Sequence, residues 1–558
     1  MVQKIHFMNP KNLFKAIFAL YMLVGMHYYS SNMGGHGLYL PFNVIGWILI
    51  SLIIGLGFWQ IFSEGKIELT YFFKYTFLGF TFLALPLIYP NNELASWTYF
   101  RIFGLLGGLL FYFSLLQFKL SKHERYIILY IILCGVFIES LLGILQYYFF
   151  QPNNWMGYNV SENFPYGIFQ QRNIMGSFMA TGSAISLYLI QKDPDCNHNK
   201  LKLWLLLVIP LFSAIIIMGV KSKTVYLGYG LFLFMISFSI NWKRKWIKTW
   251  IALSIMGFMI GLWSPKLFDR EFSEKTLEYQ IGTIFSRKTR YENTFQLWMQ
   301  HPFLGIGYGN FKRKYREHHA NRFANEPGFT VRESFCDHPH NEILFWAVEG
   351  GIVPLIGLLL FAGAYLIMVF SIYWRNALAF MALVVPILVH TQTEFPFYIS
   401  LVHWIIFLSL VYITDADTGT SVQSNFRLHR LMIIPAILIP LFVTDYMNKT
   451  LQTAKVITQY ERTGFSDYNL LLSAKNPDAW RLKYENYKLK MLFDIGMETK
   501  KIETLQLFLD QSEELLHYAP LPHIYQYMDK ALKTMGREDD AKNVIERAKY
   551  LYADLYDK

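Results

Sequence analysis

Apolar runs long enough to cross a lipid bilayer recur along most of the chain, and no other feature constrains the fold as strongly. A helix needs about 18 or more such residues to traverse a hydrocarbon core of roughly 30 Å. Runs of this kind lie at about 13–29, 41–62, 71–90, 99–118, 126–150, 173–190, 201–219, 224–240, 246–263, 342–370, 376–392, 396–413 and 431–447, which predicts about thirteen spans. Composition agrees, since 53% of the 558 residues are hydrophobic and only 16% are charged. A soluble domain carries roughly 25% charged residues, so a cytoplasmic enzyme, a disordered tail and a nucleic-acid-binding array all fit poorly. The predicted fold class is all-α: a polytopic membrane helix bundle with a large polar loop and a small soluble helical domain at the C-terminal end.

Lys and Arg number 51 against 40 Asp and Glu, a net charge of +11. In a membrane protein the placement of that charge sets the topology, because short loops rich in Lys and Arg stay inside. The N-terminus carries Lys4, Lys11 and Lys15, and the first run lacks a clear small-residue cleavage site, so a retained first helix starting in the cytoplasm is expected. Lys119, Lys122 and Arg125; Lys192, Lys200 and Lys202; Lys243, Arg244, Lys245 and Lys248; and Arg427 and Arg430 then fall on inner loops. Lys221-Ser222-Lys223 is a positive turn on the outer side, an exception that invites a functional explanation. Parity places two polar segments outside: a loop at about 264–341 and a tail at about 448–558. The expected domains are a transmembrane bundle, 1–447 including the loop, and a tail, 448–558, whose Ala531–Ala541 stretch looks like half of a tetratricopeptide helix pair.

Four polar elements cluster at the outer side by the same parity. Asp337-His338-Pro339-His340-Asn341-Glu342 brings imidazoles, an amide and carboxylates to the entry of a span. Such a group can bind, orient and deprotonate a hydroxyl, and it can equally cap a helix. A zinc reading lacks a nearby third ligand, and Cys134, Cys196 and Cys336 show neither metal spacing nor pairing, so no metal is expected. Upstream, Arg287 and Arg290 suit bidentate phosphate binding, while a solvated basic face is the plainer alternative. Gly305, Gly307 and Gly309 mimic a dinucleotide fingerprint, but no strand precedes them; a tight turn bringing the arginines back over the membrane is expected instead. Gln171-Arg172-Asn173 enters one span, and His390-Thr-Gln392-Thr-Glu394 with His403 flanks another; each alone reads as cross-linking between helices. Glu139, deep in the fifth span, needs a partner that the sequence does not name.

The order Arg287, His301-Pro302-x-x-Gly305-x-Gly307-x-Gly309-Asn310-Phe311, His340-Asn341-Glu342-x-Leu344 and Glu349-Gly350-Gly351 resembles the signature shared by O-antigen ligases, O-antigen polymerases and protein O-oligosaccharyltransferases. Tyr166-Gly167-x-x-x-Gln171-x-Asn173 and Gln392-x-Glu394-x-Pro396-x-x-x-Ser400-x-x-His403-Trp404 are similar to the PglL-type protein glycosylation ligases. The resemblance covers residues from about 150 to 415.

It implies a bacterial inner-membrane transferase without metal or other cofactor, its active site facing the periplasm. Such an enzyme moves an oligosaccharide from an undecaprenyl-pyrophosphate carrier to a Ser/Thr hydroxyl of a periplasmic acceptor protein such as a pilin. The implied partners are that lipid-linked glycan, the acceptor and membrane lipids, with no nucleic acid. His340 is the implied catalytic residue, beside Asn341, Glu342 and His338. Arg287, Arg290, Lys223 and Lys221 are the implied pyrophosphate ligands, and Gln171, Asn173, Arg172, Glu394, Gln392 and His403 the supporting set. The family's Ser-Arg pair reads Ser222-Lys223 here, an ammonium in place of a planar fork. Transfer to lipid A-core, glycan polymerisation, and a lipid-glycan transporter relaying through Glu139 are the competing expectations.

Overall fold

The computed structural model describes residues 9–90, 92–267, 277–329, 333 and 336–553, with side chains left aside over 264–267 and 277–286. In chain order the first helices are α1 (Pro10–Leu23), α2 (Pro41–Glu64), α3 (Tyr71–Ala84), α4 (Tyr99–Phe118), α5 (Lys122–Ile144), α6 (Arg172–Lys192), α7 (Lys200–Val220), α8 (Lys223–Ser237) and α9 (Lys245–Leu267). There follow α10 (Leu277–Gln300), α11 (Phe311–Asn325), α12 (Glu342–Gly350), α13 (Ile352–Phe370), α14 (Trp374–Thr391), α15 (Pro396–Ile399), α16 (Leu401–Thr418) and α17 (Ile433–Arg462). The tail continues with α18 (Tyr468–Leu472), α19 (Arg481–Thr499), α20 (Ile502–Tyr518), α21 (Pro522–Thr534) and α22 (Glu538–Leu551). Among the described residues the only sheet pairs β1 (Lys66–Leu69) antiparallel with β2 (Val422–Asn425).

The chain is an all-α polytopic helix bundle. Among the described residues, 11 helical segments are long and apolar enough to cross a membrane. The other two expected spans are α1 and α8, which fall short at 14 and 15 residues. The expected span at 342–370 is two helices. Gly351 separates α12 from α13 with φ +70°, and a Cβ there would collide with the Phe303 carbonyl. Lys4 lies outside the described residues.

Two compact units divide the chain. The first comprises Met1–Leu78, Gly104–Glu274 and Leu360–Leu451. At its centre is α6, packed by α5, α7, α8 and α14 and buried from Ile174 through Gln191. Small residues permit that enclosure: a Cβ on Gly176 would strike Val225, and one on Gly182 would strike Val136. Hydroxyls complete it, with Trp250 donating to Ser186, whose own hydroxyl donates to the Leu206 carbonyl. By contrast α17 turns Ile434, Ile437, Leu438, Leu441 and Phe442 outward, as lipid permits and water does not.

One end of this unit gathers the basic residues assigned to inner loops. Lys15 pairs with Glu124 at 3.1 Å, Lys119 with Glu64 at 2.8 Å, Lys202 with Asp193 at 3.5 Å, and Arg125 with Asp417. The β1–β2 ribbon links the same end. The opposite end carries the start of α6, the α7–α8 turn and the α14–α16 connection.

The second unit comprises Gly79–Phe103, Lys275–Leu359 and Gln452–Lys558. Helices α19 with α20 and α21 with α22 form two packed pairs, turning at Lys500 and Gly536 with φ of 52° and 75°. Their core of Leu489, Phe493, Leu505, Phe508, Ile524, Ala531 and Ala548 also takes in Ala320 of α11. Helix α11 and the tail therefore share one hydrophobic core.

Candidate functional site

In the second unit, the polar cluster sits on the segment leading into α12. Asn341 is the N-cap of α12, its side chain accepting the Leu344 amide at 2.9 Å. His340, one residue earlier, is half-buried and holds φ +63°, a left-handed backbone that a residue with a Cβ rarely adopts. Two contacts stabilise it. Its amide donates to His338 Nδ1 at 2.9 Å, and its carbonyl accepts from the Tyr291 hydroxyl of α10 at 3.2 Å. That acceptor role places the proton of a neutral His338 on Nε2, which faces Glu342 Oε2 at 3.7 Å. Glu342 Oε1 in turn accepts from Trp346 at 2.8 Å. The capping reading of this motif is realised by Asn341, and His338 and Tyr291 fix the His340 backbone beside it.

Arg287 and Arg290 lie on α10, with Arg287 one helical turn before Tyr291. Arg290 Nε donates to Glu333, whose other oxygen accepts from Tyr315 at 2.6 Å. Burial works against the Arg290 charge, but Glu333, Cys336 and Tyr315 together outweigh it and hold the guanidinium above its ordinary range. Cys336 is buried, its thiol donating to the His338 carbonyl at 3.3 Å. Burial, then Glu333, pushes that thiol well above its ordinary value.

The glycine run serves Glu349. Gly305, Gly307 and Gly309 all hold positive φ, and the Gly307 amide donates to the Glu349 carbonyl at 3.0 Å. The Gly309 amide donates to the Glu349 carboxylate at 2.9 Å, and Arg101 pairs with it at 2.7 Å. Arg101 also lies over Tyr308, Phe345 and Trp346, 4.4 to 4.7 Å from their ring centres. The expected turn is real, and its role is to lock the loop to the end of α12. The spaced Gly-x-Gly-x-Gly and Glu-Gly-Gly motifs are two halves of one structural knot.

In the first unit, Glu394 gathers the supporting set. It accepts from Gln171 at 3.3 Å and from Asn173, and faces His390 Nε2 at 3.3 Å. His390 Nδ1 meets the Ser177 hydroxyl at 2.8 Å, and that hydroxyl meets His403 Nε2 at 3.1 Å. His403 Nδ1 is 3.0 Å from Ser400 Oγ, and its Nε2 donates to the Ile174 carbonyl at 3.1 Å. One consistent proton arrangement runs from His403 through Ser177 and His390 to Glu394. Gln392 lies beside this chain rather than in it; its amide donates to Thr391 at 2.9 Å.

Lys221 caps α7 with φ 47°, and Lys223 opens α8 beyond the Ser222 cap; both are exposed. Arg172 stacks on Phe164 at 4.3 Å and lies within electrostatic range of Tyr226, on the first turn of α8. These three cations share one end of the first unit with Gln171 and Asn173.

Glu139 now has its partners: His27 Nδ1 at 2.9 Å and the Ile168 amide at 2.5 Å. Gln146, on the π turn Leu145–Phe149 that continues α5, accepts the Gly167 amide at 2.7 Å, so it and Glu139 strap down the loop that presents Gln171. The sequence reading took in His390 with Gln392 and Glu394 but did not single out Ser177, Glu333, Arg101 or Tyr291. His390 stands four before Glu394, and Ser177 four after Asn173, a helical spacing that pointed to both. Nothing local pointed to Glu333 or Arg101, whose partners are distant in sequence. Among the described residues, no three His, Cys, Asp or Glu side chains converge as a metal set.

Fold and site together define a multispan membrane protein whose polar chemistry is concentrated at helix ends. A family model described as O-antigen ligase matches residues 206–362, and one described as protein glycosylation ligase matches 165–190. A third, described as the C-terminal part of a virulence factor membrane-bound polymerase, matches 378–558. These matches support membership of the O-antigen ligase superfamily, PglL-like, and a membrane ligase or glycosylation function. No curated protein matches it.

Proposed function

We propose that this protein transfers an oligosaccharide en bloc from an undecaprenyl-pyrophosphate donor to a Ser/Thr hydroxyl of an acceptor protein, a pilin among the candidates. The reaction belongs at the periplasmic face of a bacterial inner membrane. The observation that carries the reading is the left-handed, doubly anchored His340 backbone, in a chain with the glycosylation-ligase match at 165–190. In the proposed step the acceptor oxygen attacks the anomeric carbon, the carbon–oxygen bond to the pyrophosphate breaks, and His340 takes the hydroxyl proton. The carrier leaves as its pyrophosphate anion, so a cationic hold on the phosphates matters more than an acid. Arg287 and Arg290 are assigned to that hold, with Lys221 and Lys223 as further phosphate contacts. His338 and Glu342 orient the base, Asn341 caps the helix behind it, and Gln171, Asn173, Arg172, Gln392 and His403 with Glu394 support substrate binding.

General-base help is worth about 10²–10⁴-fold, so His340→Ala should lower transfer by that factor at equal membrane abundance. Near wild-type transfer would remove His340 from the mechanism. The match of 378–558 to a membrane-bound polymerase favours glycan polymerisation as the second reading. Intact-mass analysis of envelope proteins with and without the gene separates the two: a glycan-sized mass on a protein supports the first, a change only in glycan chain length the second.

A further inference from the structure

The last turn of the tail reaches the loop arginines through a single side chain. Arg316 of α11 is buried and donates from Nε to the Leu551 carbonyl at 2.6 Å. Its guanidinium lies over the Tyr552 ring at 4.5 Å, and its Nη1 donates to the backbone carbonyl of Glu333. Tyr552 is itself buried, its hydroxyl donating to the Pro520 carbonyl in the turn between α20 and α21. Glu333 then passes the constraint on through its side chain, to Arg290 and Tyr315. Three residues further along, Cys336 holds the His338 carbonyl.

We infer that the helical tail is a positioning part of the phosphate-binding side of the site: Tyr552 and Leu551 seat Arg316, Arg316 seats Glu333, and Glu333 sets the plane of the Arg290 guanidinium. Binding Arg290 through Nε directs its two terminal nitrogens, which make no hydrogen bond among the described residues, toward a bidentate contact with phosphate oxygens. The carboxylate lowers the net positive charge there and gains orientation in exchange. A buried guanidinium with a ring on its face and carbonyls at its edge is a rigid link, because displacing it strands several donors away from water. The assignment of Arg290 to phosphate rests on the proposed function; the mechanical link from tail to loop does not.

The test uses the full-length protein with Cys134→Ser and Cys196→Ser, leaving Cys336 as the only thiol. Tyr552→Ala should speed maleimide labelling of Cys336 and raise the KM for a polyprenyl-pyrophosphate glycan severalfold, with a smaller change in kcat. Tyr552→Phe keeps the ring over Arg316 and should label and bind donor like the parent. In a Glu333→Ala background, Tyr552→Ala should add nothing further to the KM. Unchanged labelling and KM in Tyr552→Ala, or equal damage from Tyr552→Phe, would overturn the inference. Should Tyr552→Ala fail to accumulate, Arg316→Lys is read by the same two measurements: it keeps the charge but loses the two-ended link, and parent-like values would again overturn the inference. If the parent transfers no glycan, the functional reading fails and the labelling arm still decides the link.

Discussion

Glu394 accepts hydrogen bonds from two amide side chains and faces His390, all inside the first unit. A carboxylate offers only acceptors, and every one of its neighbours here offers a donor. Glu394→Gln would turn an amide N–H against those donors and should cost about 1–3 kcal/mol, the usual penalty for a stranded buried polar group. A thermal-shift measurement in detergent checks this, with Glu394→Asp as the milder comparison. Cys336 makes the pH prediction at this scale. Its thiol pKa is raised in the folded protein, so the neutral form is the stabilising one. That stability is fully present below 9.0, the ordinary value, and is lost as pH rises through the higher folded value. Labelling of native Cys336 should therefore stay slow at neutral pH and accelerate only in alkali, whereas a freely exposed thiol would follow an ordinary thiolate curve.

Among the elements, α12 is the one on which most of the loop depends. It begins at the Asn341 cap, ends at Gly351, and carries Glu349 beneath the glycine run. Asn341→Ala should cost about 1 kcal/mol by removing the cap, leaving the fold intact. Gly351→Ala faces both a positive φ and the Phe303 carbonyl, and strain of that kind costs about 1–3 kcal/mol before any backbone shift. The expected order in thermal stability is parent, then Asn341→Ala, then Gly351→Ala; a neutral Gly351→Ala would mean that the knot is not needed. Breaking the expected 342–370 span at this glycine separates a short polar-ended helix from an apolar one, and so keeps His340 and Glu342 beside α10 in the second unit.

For the whole molecule, charge placement is the measurable consequence of the fold. Lys11, Lys15, Lys119 and Arg125 meet their partners at one end of the first unit, as the positive-inside rule expects for inner loops. Cysteines introduced at exposed Lys288 and at Lys243, in a cysteine-free background, should react oppositely with an impermeant maleimide applied to intact cells. Lys288→Cys is expected to label and Lys243→Cys to stay protected until the membrane is opened; the reverse pattern would invert the topology.

Membrane class, the helical nature of the chain and the existence of thirteen apolar segments were legible in the sequence, because bilayer thickness imposes a length that one residue string can display. The motif residues of the family resemblance were legible too, though their division of labour was not. Only the tertiary structure decided that Gly305, Gly307 and Gly309 satisfy Glu349, that Glu139 pairs with His27, and that Arg316 ties the tail to Glu333. Each of those facts depends on a hydrogen bond or ion pair between residues far apart in the chain. Hydropathy and spacing report only what a segment demands of its solvent, whereas a buried carboxylate or guanidinium is defined by the distant donor or acceptor that the fold delivers to it.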